Sequence, residues 1–141
     1  MTVDLEGCRS PFAHFQEFPA ATQISTVDEA FAEGRKEGAF LSSLGFSINF
    51  APVVDLNDTI WNCRTFPGNE TEIALLAEAY ISGLQEQGIL ATAKHYPGKT
   101  LVVRDPHKFL VVGQITAEDV YPYRYLTQQG KVKLVMVSHV I

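Results

Sequence analysis

The sequence predicts an α/β domain built on about four parallel strands, and three observations carry that reading. Short apolar runs alternate with longer stretches of helical periodicity, giving strand, helix, strand, helix, strand, helix, strand along the chain. The apolar runs are largely continuous, as expected of strands covered on both faces. Titratable residues stand where each run ends, which is where parallel α/β sheets assemble their sites.

The elements follow in order. Met1 to Leu5 is a short strand candidate. Residues 7–25 read as irregular, with Pro11, Pro19 and several aromatics. Thr26-Val27-Asp28-Glu29 is a capping box, with Thr26 as N-cap and Glu29 reaching back. The helix it opens should run from about residue 27 to 44 and stop at Gly45. Gly34 and Gly38 weaken its middle. Phe46 to Val54, rich in β-branched and aromatic side chains, reads as the second strand, with Pro52 ending the ladder. Asn69-Glu70-Thr71-Glu72 is a second capping box. Behind it Ile73, Leu76, Ala77, Tyr80, Ile81 and Leu84 keep helical spacing up to Gly88. Ile89 to Ala93 is the third strand, followed by a loop over roughly residues 95–114. Thr116-Ala117-Glu118-Asp119 starts a third helix, which Pro122 is expected to confine or kink. Val132 to Val140 is the last strand.

The chain has 141 residues, enough for one domain with a sizeable core, and no linker or internal repeat divides it. Apolar residues make up 46% and charged residues 19%, an ordinary globular balance. The net charge of −5 and the lack of any Lys/Arg cluster argue against a nucleic-acid partner. There is no basic amphipathic helix and no run of about 18 apolar residues, so no membrane partner is expected. The N-terminus lacks a charged-then-apolar leader pattern, which favours the cytoplasm. Cys8 and Cys63 read as two small, partly buried side chains and not as a disulfide framework.

The strand ends carry the chemistry. The first run ends at Asp4 and Glu6, the second at Asp55 and Asn57, the third at Lys94 and His95, the fourth at Ser138 and His139. One such residue means little; four consecutive ends point to a concave site. Lys94 and His95 are adjacent donors held before a Pro-Gly turn. His139 reads equally well as a hydrogen-bonded core histidine. In the loop beyond, Asp105-Pro106-His107 places a carboxylate two residues from an imidazole. Such an Asp can accept the ring N–H, set the tautomer and raise the imidazole pKa. The His can then act as acid and afterwards as base near neutral pH. The plain alternative is a surface turn, since Asp-Pro is a common turn dipeptide.

Five ordered stretches resemble glycoside hydrolase family 3. Lys94-His95-Tyr96-Pro97-Gly98 is similar to its KH[FY]PG motif, and Asn49 to Asn57 to its N-F-A-P-V-x-D-x-N strand. Arg64-Thr65-Phe66 resembles its R-[ST]-F element, Val3 to Arg9 its D-x-E-G-G-R opening, and Met136 to Val140 its M-x-x-H strand. The resemblance implies a partial (β/α)8 TIM-type barrel and hydrolysis of β-linked sugars with retention. In the N-acetylglucosaminidase branch a loop after KH[FY]PG carries a D-S-H dyad whose His is the acid/base. Asp105 and His107 match that dyad, so the resemblance makes them the catalytic pair. It also makes Asp4, Arg64, Lys94 and His95 the residues that hydrogen-bond the sugar in the −1 subsite. The implied ligand is an oligosaccharide or glycopeptide containing N-acetylglucosamine, with no cofactor and no metal.

The departures are local. Cys8 stands where the family usually has Gly, Pro67 replaces the Gly after R-[ST]-F, Pro106 replaces Ser, and Lys99-Thr100 replaces the usual His-Gly. A complete barrel takes about 250 residues, so residues 1–141 are expected to be one piece of a single barrel domain. The family nucleophile, an Asp on a later strand, is expected to lie outside them, leaving this chain inactive alone. Uncovered barrel edges would favour self-association. Three alternatives stay open: a β-glucosidase-like member of the family, a non-catalytic sugar-binding remnant, and a metal-dependent barrel hydrolase using His95, Asp105, His107 and His139. The last lacks any tight H-x-H or H-E-x-x-H spacing.

Overall fold

A computed structural model describes the chain except for residues 9, 100, 101, 103, 106, 140 and 141. The departure at Pro106, the loop residue Thr100 and the motif ends Arg9 and Val140 lie outside the described residues. Four strands, β1 (Thr2–Val3), β2 (Ile48–Asn49), β3 (Leu90–Tyr96) and β4 (Leu134–Val137), form one sheet in the order β1-β2-β3-β4. Every pairing is parallel, with Thr2 opposite Ile48, Asn49 opposite Ala91 and Lys94 opposite Met136. Between consecutive strands lie α1 (Val27–Ser43), α2 (Glu70–Glu86) and α3 (Ala117–Gln128). Each strand pairs with the next strand in sequence, which is the repeating step of a (β/α) barrel.

The helices start where their caps place them. Thr26 Oγ1 accepts from Glu29 N–H at 3.2 Å while Thr26 N–H donates to Glu29 Oε2 at 3.1 Å. Asn69 Oδ1 accepts from Thr71 and Glu72 N–H, each at 3.0 Å, and Glu72 answers at 2.8 Å. Thr116 and Asp119 repeat the arrangement for α3. These side chains satisfy N–H groups that have no partner within a helix. In α2 the apolar positions Ile73, Leu76, Ala77, Tyr80, Ile81 and Leu84 are all buried. Pro122 sits inside α3 without ending it; the helix runs on to Gln128.

Gly34 weakens α1 as an isolated helix, yet it lets α1 and α2 touch. A Cβ at Gly34 would stand 2.2 Å from the Tyr80 carbonyl oxygen, and one at Gly83 would stand 2.3 Å from that of Phe31. Only glycine permits such an approach of two backbones.

The second strand is shorter than its apolar run predicts. Regular pairing is confined to Ile48 and Asn49, and Val53 forms an isolated bridge to Lys94. Pro52 has no N–H to give the ladder, although its carbonyl still accepts from Lys94 N–H at 3.2 Å. The irregular stretch over residues 7–25 contains one turn of 3-10 helix, Ala21–Gln23. The core holds Leu5, Leu41, Val54, Ile73, Ile81, Leu84, Ile89 and Leu126 between sheet and helices. Asn49 ties β2 to the chain beyond β1: its side chain accepts from Leu5 N–H at 2.9 Å and donates to Leu5 C=O at 2.8 Å.

The two cysteines correct the sequence reading. Cys8 and Cys63 form a disulfide, with Cα atoms 5.9 Å apart and a sequence separation of 55. The fold brings the segment after β1 beside the segment after β2, and Ala21 N–H donates to Cys63 C=O at 3.1 Å. That proximity is tertiary, so spacing along the chain does not reveal it.

Candidate active site

The C-terminal ends of β1, β2 and β3 carry interlocked ion pairs. Lys94, near the end of β3, is only 2% exposed, and its ammonium meets Asp4 and, at 2.6 Å, Glu6 Oε2. The other oxygen of Glu6 accepts from Arg64 Nη1 at 3.2 Å. Arg64 in turn holds Asp58 in a two-pronged contact, Nε to Oδ2 at 2.9 Å and Nη2 to Oδ1 at 3.1 Å. Such a fork fixes a guanidinium more tightly than a single contact would. Glu6 therefore bridges the two cations, while the Asp4 side chain stays 59% exposed and open to a ligand.

His95 is held separately. Its Nδ1 lies 2.9 Å from Asp55 Oδ2, and its backbone N–H donates to Asp55 Oδ1 at 3.3 Å. Burial lowers the imidazole pKa below 6.5, outweighing the opposing contact with Asp55. Burial thus favours the neutral form of the ring. With its proton on Nδ1 facing the carboxylate, Nε2 remains a lone-pair acceptor for a hydroxyl. The Lys94–His95 peptide bond is cis.

The loop pair forms as its spacing suggests. His107 Nδ1 and backbone N–H both meet Asp105 Oδ1 at 2.9 Å. Those bonds, the backbone one first, hold the Asp105 carboxyl below its ordinary pKa. The His107 side chain is 61% exposed, available to a substrate from solvent. His139 is not a core histidine; it is exposed, and its ring packs edge-on against His107 at 5.2 Å between centroids.

Asp4, Arg64 and Lys94 thus share one network, His95 stands beside Lys94 with its own acid, and Asp105 and His107 form a separate pair. The sequence assigned roles to these six, marked Glu6 and Asp55 only as strand-end residues, and passed over Asp58. Glu6 and Asp55 carried a signal, since each follows a strand. Asp58 carried none, because only the folded loop brings it to Arg64. Among the described residues no group of three His, Cys, Asp or Glu side chains lies close enough to hold a metal ion. No described helix is long and apolar enough to cross a membrane.

Fold and site define a barrel-type α/β domain with its polar cluster at the C-terminal strand ends. The chain belongs to glycoside hydrolase family 3: the family model described as "Glycosyl hydrolase family 3 N terminal domain" matches residues 2–141. A beta-hexosaminidase from Psychromonas ingrahamii is 35% identical over 157 residues, an alignment covering 100% of this chain and 47% of that protein. Beta-hexosaminidase LpqI from Mycobacterium tuberculosis is 34% identical, with 83% of this chain and 32% of that protein covered. The crystal structure of native NagZ from Neisseria gonorrhoeae superposes with a TM-score of 0.88 at 30% identity, over 99% of this chain and 46% of that one. The chain therefore spans about half or less of each of these relatives.

Proposed function

We propose that residues 1–141 form the sugar-binding and acid/base part of a retaining exo-β-N-acetylglucosaminidase. The Asp105–His107 pair carries this reading. It gives the domain an imidazole whose ring orientation a carboxylate fixes, on an exposed loop. In the proposed reaction, His107 donates a proton to the glycosidic oxygen as the bond to the aglycone breaks. It then takes a proton from the water that attacks the covalent glycosyl intermediate. Asp105 orients the ring and stabilises its charged form. Asp4, Arg64, Lys94 and His95 hold the terminal sugar through their remaining donors and acceptors. The ligand is the non-reducing N-acetylhexosamine of an oligosaccharide or glycopeptide.

Retention also needs a carboxylate nucleophile. Within these residues the strand-end acids of the cluster are engaged with Lys94, Arg64 and His95. We therefore expect the 141-residue chain to bind N-acetylglucosamine without turning it over. The second reading, a sugar-binding domain without catalysis, shares the cluster and leaves the dyad idle. Calorimetric titration with N-acetylglucosamine and with glucose tests the first step. Saturable binding that is stronger for the acetamido sugar is expected, and no binding of either sinks the proposal. Turnover of a chromogenic N-acetylglucosaminide by these residues alone, at rates like those of the relatives, would show that the nucleophile lies among them. The disulfide favours an oxidising compartment over the cytoplasm; thiol titration of protein isolated with its thiols blocked would read a bridged pair.

A further inference from the structure

Lys99 is the cation of this cluster that the proposed reaction does not use. It is buried, at 7% exposed. Lys94 has Asp4 and Glu6, Arg64 has Glu6 and Asp58, and His95 has Asp55. Among the described residues Lys99 has no ion-pair or side-chain hydrogen-bond partner. Its ammonium nonetheless lies within electrostatic reach of Asp55, Arg64, Asp58 and Glu6, the acids and the guanidinium that frame the cluster. Burial, its largest influence, lowers its pKa.

The backbone that carries Lys99 is pinned on several sides. Gly98 N–H donates to His95 C=O at 2.8 Å, and Val102 N–H donates to Lys99 C=O at 3.0 Å. Thr59 Oγ1 donates to Val102 C=O at 3.2 Å, which joins this turn to the segment holding Asp58. Gly98 has φ +118° and packs so closely on α3 that a Cβ there would stand 2.7 Å from the Asp119 Cβ. The Lys99 side chain is largely buried while its ammonium finds no side-chain acceptor among the described residues, so a ligand oxygen would complete its hydrogen bonding.

We infer that Lys99 is a further substrate-contact residue, donating a charge-assisted hydrogen bond to a hydroxyl or acetamide oxygen of the bound sugar. This rests on the sugar-binding reading above. The neighbouring carboxylates oppose the lowering of the ammonium's pKa by burial, and the sugar supplies the acceptor they do not. The contact adds a donor beside His95.

The test is titration of N-acetylglucosamine into the 141-residue chain and into Lys99→Met and Lys99→Arg. The unsubstituted chain should bind, Lys99→Met should bind about tenfold or more weakly, and Lys99→Arg should recover most of the loss. The melting temperature of Lys99→Met should stay near that of the unsubstituted chain. Equal affinity for the unsubstituted chain and Lys99→Met overturns the inference alone, and leaves Lys99 a counter-charge for the surrounding acids. Absence of binding by the unsubstituted chain instead sinks the sugar-binding reading and the inference with it. Should Lys99→Met not fold, reductive 13C-methylation of the unsubstituted chain decides. The Lys99 dimethylamine resonance, assigned by its loss in Lys99→Arg, must shift on saturation with the sugar, and a stationary resonance overturns the contact.

Discussion

Glu37 shows how one side chain can set a pH dependence from inside the fold. It lies in α1, 1% exposed, and accepts from the Tyr80 hydroxyl of α2, which also receives Asn49 Nδ2–H at 3.4 Å. Burial pushes its pKa up to about 8, against the lowering effect of the Tyr80 bond. The unfolded value is near 4.5. A folded pKa above the unfolded one means that this group's contribution to stability is complete below pH 4.5. It is lost as pH rises through about 8. His95 has the opposite sign: its lowered pKa gives stability present above pH 6.5 and lost as pH falls. Replacing Glu37 with Gln removes the first slope and leaves the second. The unsubstituted chain should therefore lose stability relative to Glu37→Gln between pH 4.5 and 8. Urea midpoints at several pH values read the difference. Parallel curves for the two proteins would show that Glu37 is charged in the folded state.

At the scale of elements, the helices were legible because their signals are local. All three starts follow from side chains within four residues of the cap, and the buried face of α2 follows from its spacing. The strands were less legible. Only two residues of the long run from Phe46 to Val54 pair regularly, because Pro52 and the turn towards Asp55 leave the ladder. The third strand runs on to Tyr96, past the expected end at Ala93, because β4 keeps pairing with it through Val137. Gly34 was read locally as a weak point and, with Gly83, is a contact point across the helix pair. Gly34→Ala tests that role. Intrinsic propensity alone would stabilise α1 by about 1 kcal/mol. The contact with the Tyr80 carbonyl forces the helices apart, which typically costs about 1–3 kcal/mol and more against backbone. We expect a net loss of about 2 kcal/mol, seen as a lower urea midpoint. A more stable variant would mean that the helices slide apart without cost.

The whole molecule is an arc of barrel wall with two sheet edges. Val135 and Val137 of β4 are exposed, as is Leu90 at the start of β3, although the sequence pattern suits strands covered on both faces. β1 and β4 each lack a partner on one side among the described residues. Such edges template further pairing, so the 141-residue chain should associate as its concentration rises, and sedimentation that stays monomeric at high concentration would refute this. The disulfide acts on the same scale but inward. It joins the segment carrying Asp4 and Glu6 to the segment carrying Asp58 and Arg64, with Cys63 next to Arg64 in sequence. Loop-closure entropy for a separation of 55 residues corresponds to about 4 kcal/mol of stability. That is a large share of what a domain of this size possesses. Reduction should therefore lower the melting temperature by more than about 10 °C. It should also weaken sugar binding, because Glu6 and Arg64 would then be held together by their ion pair alone. A Cys8→Ser/Cys63→Ser double variant should behave like the reduced protein and ignore reductant. If reduction leaves both the melting temperature and the affinity unchanged, the α1–α2 packing and the Asn49 bridge already hold the two segments in place.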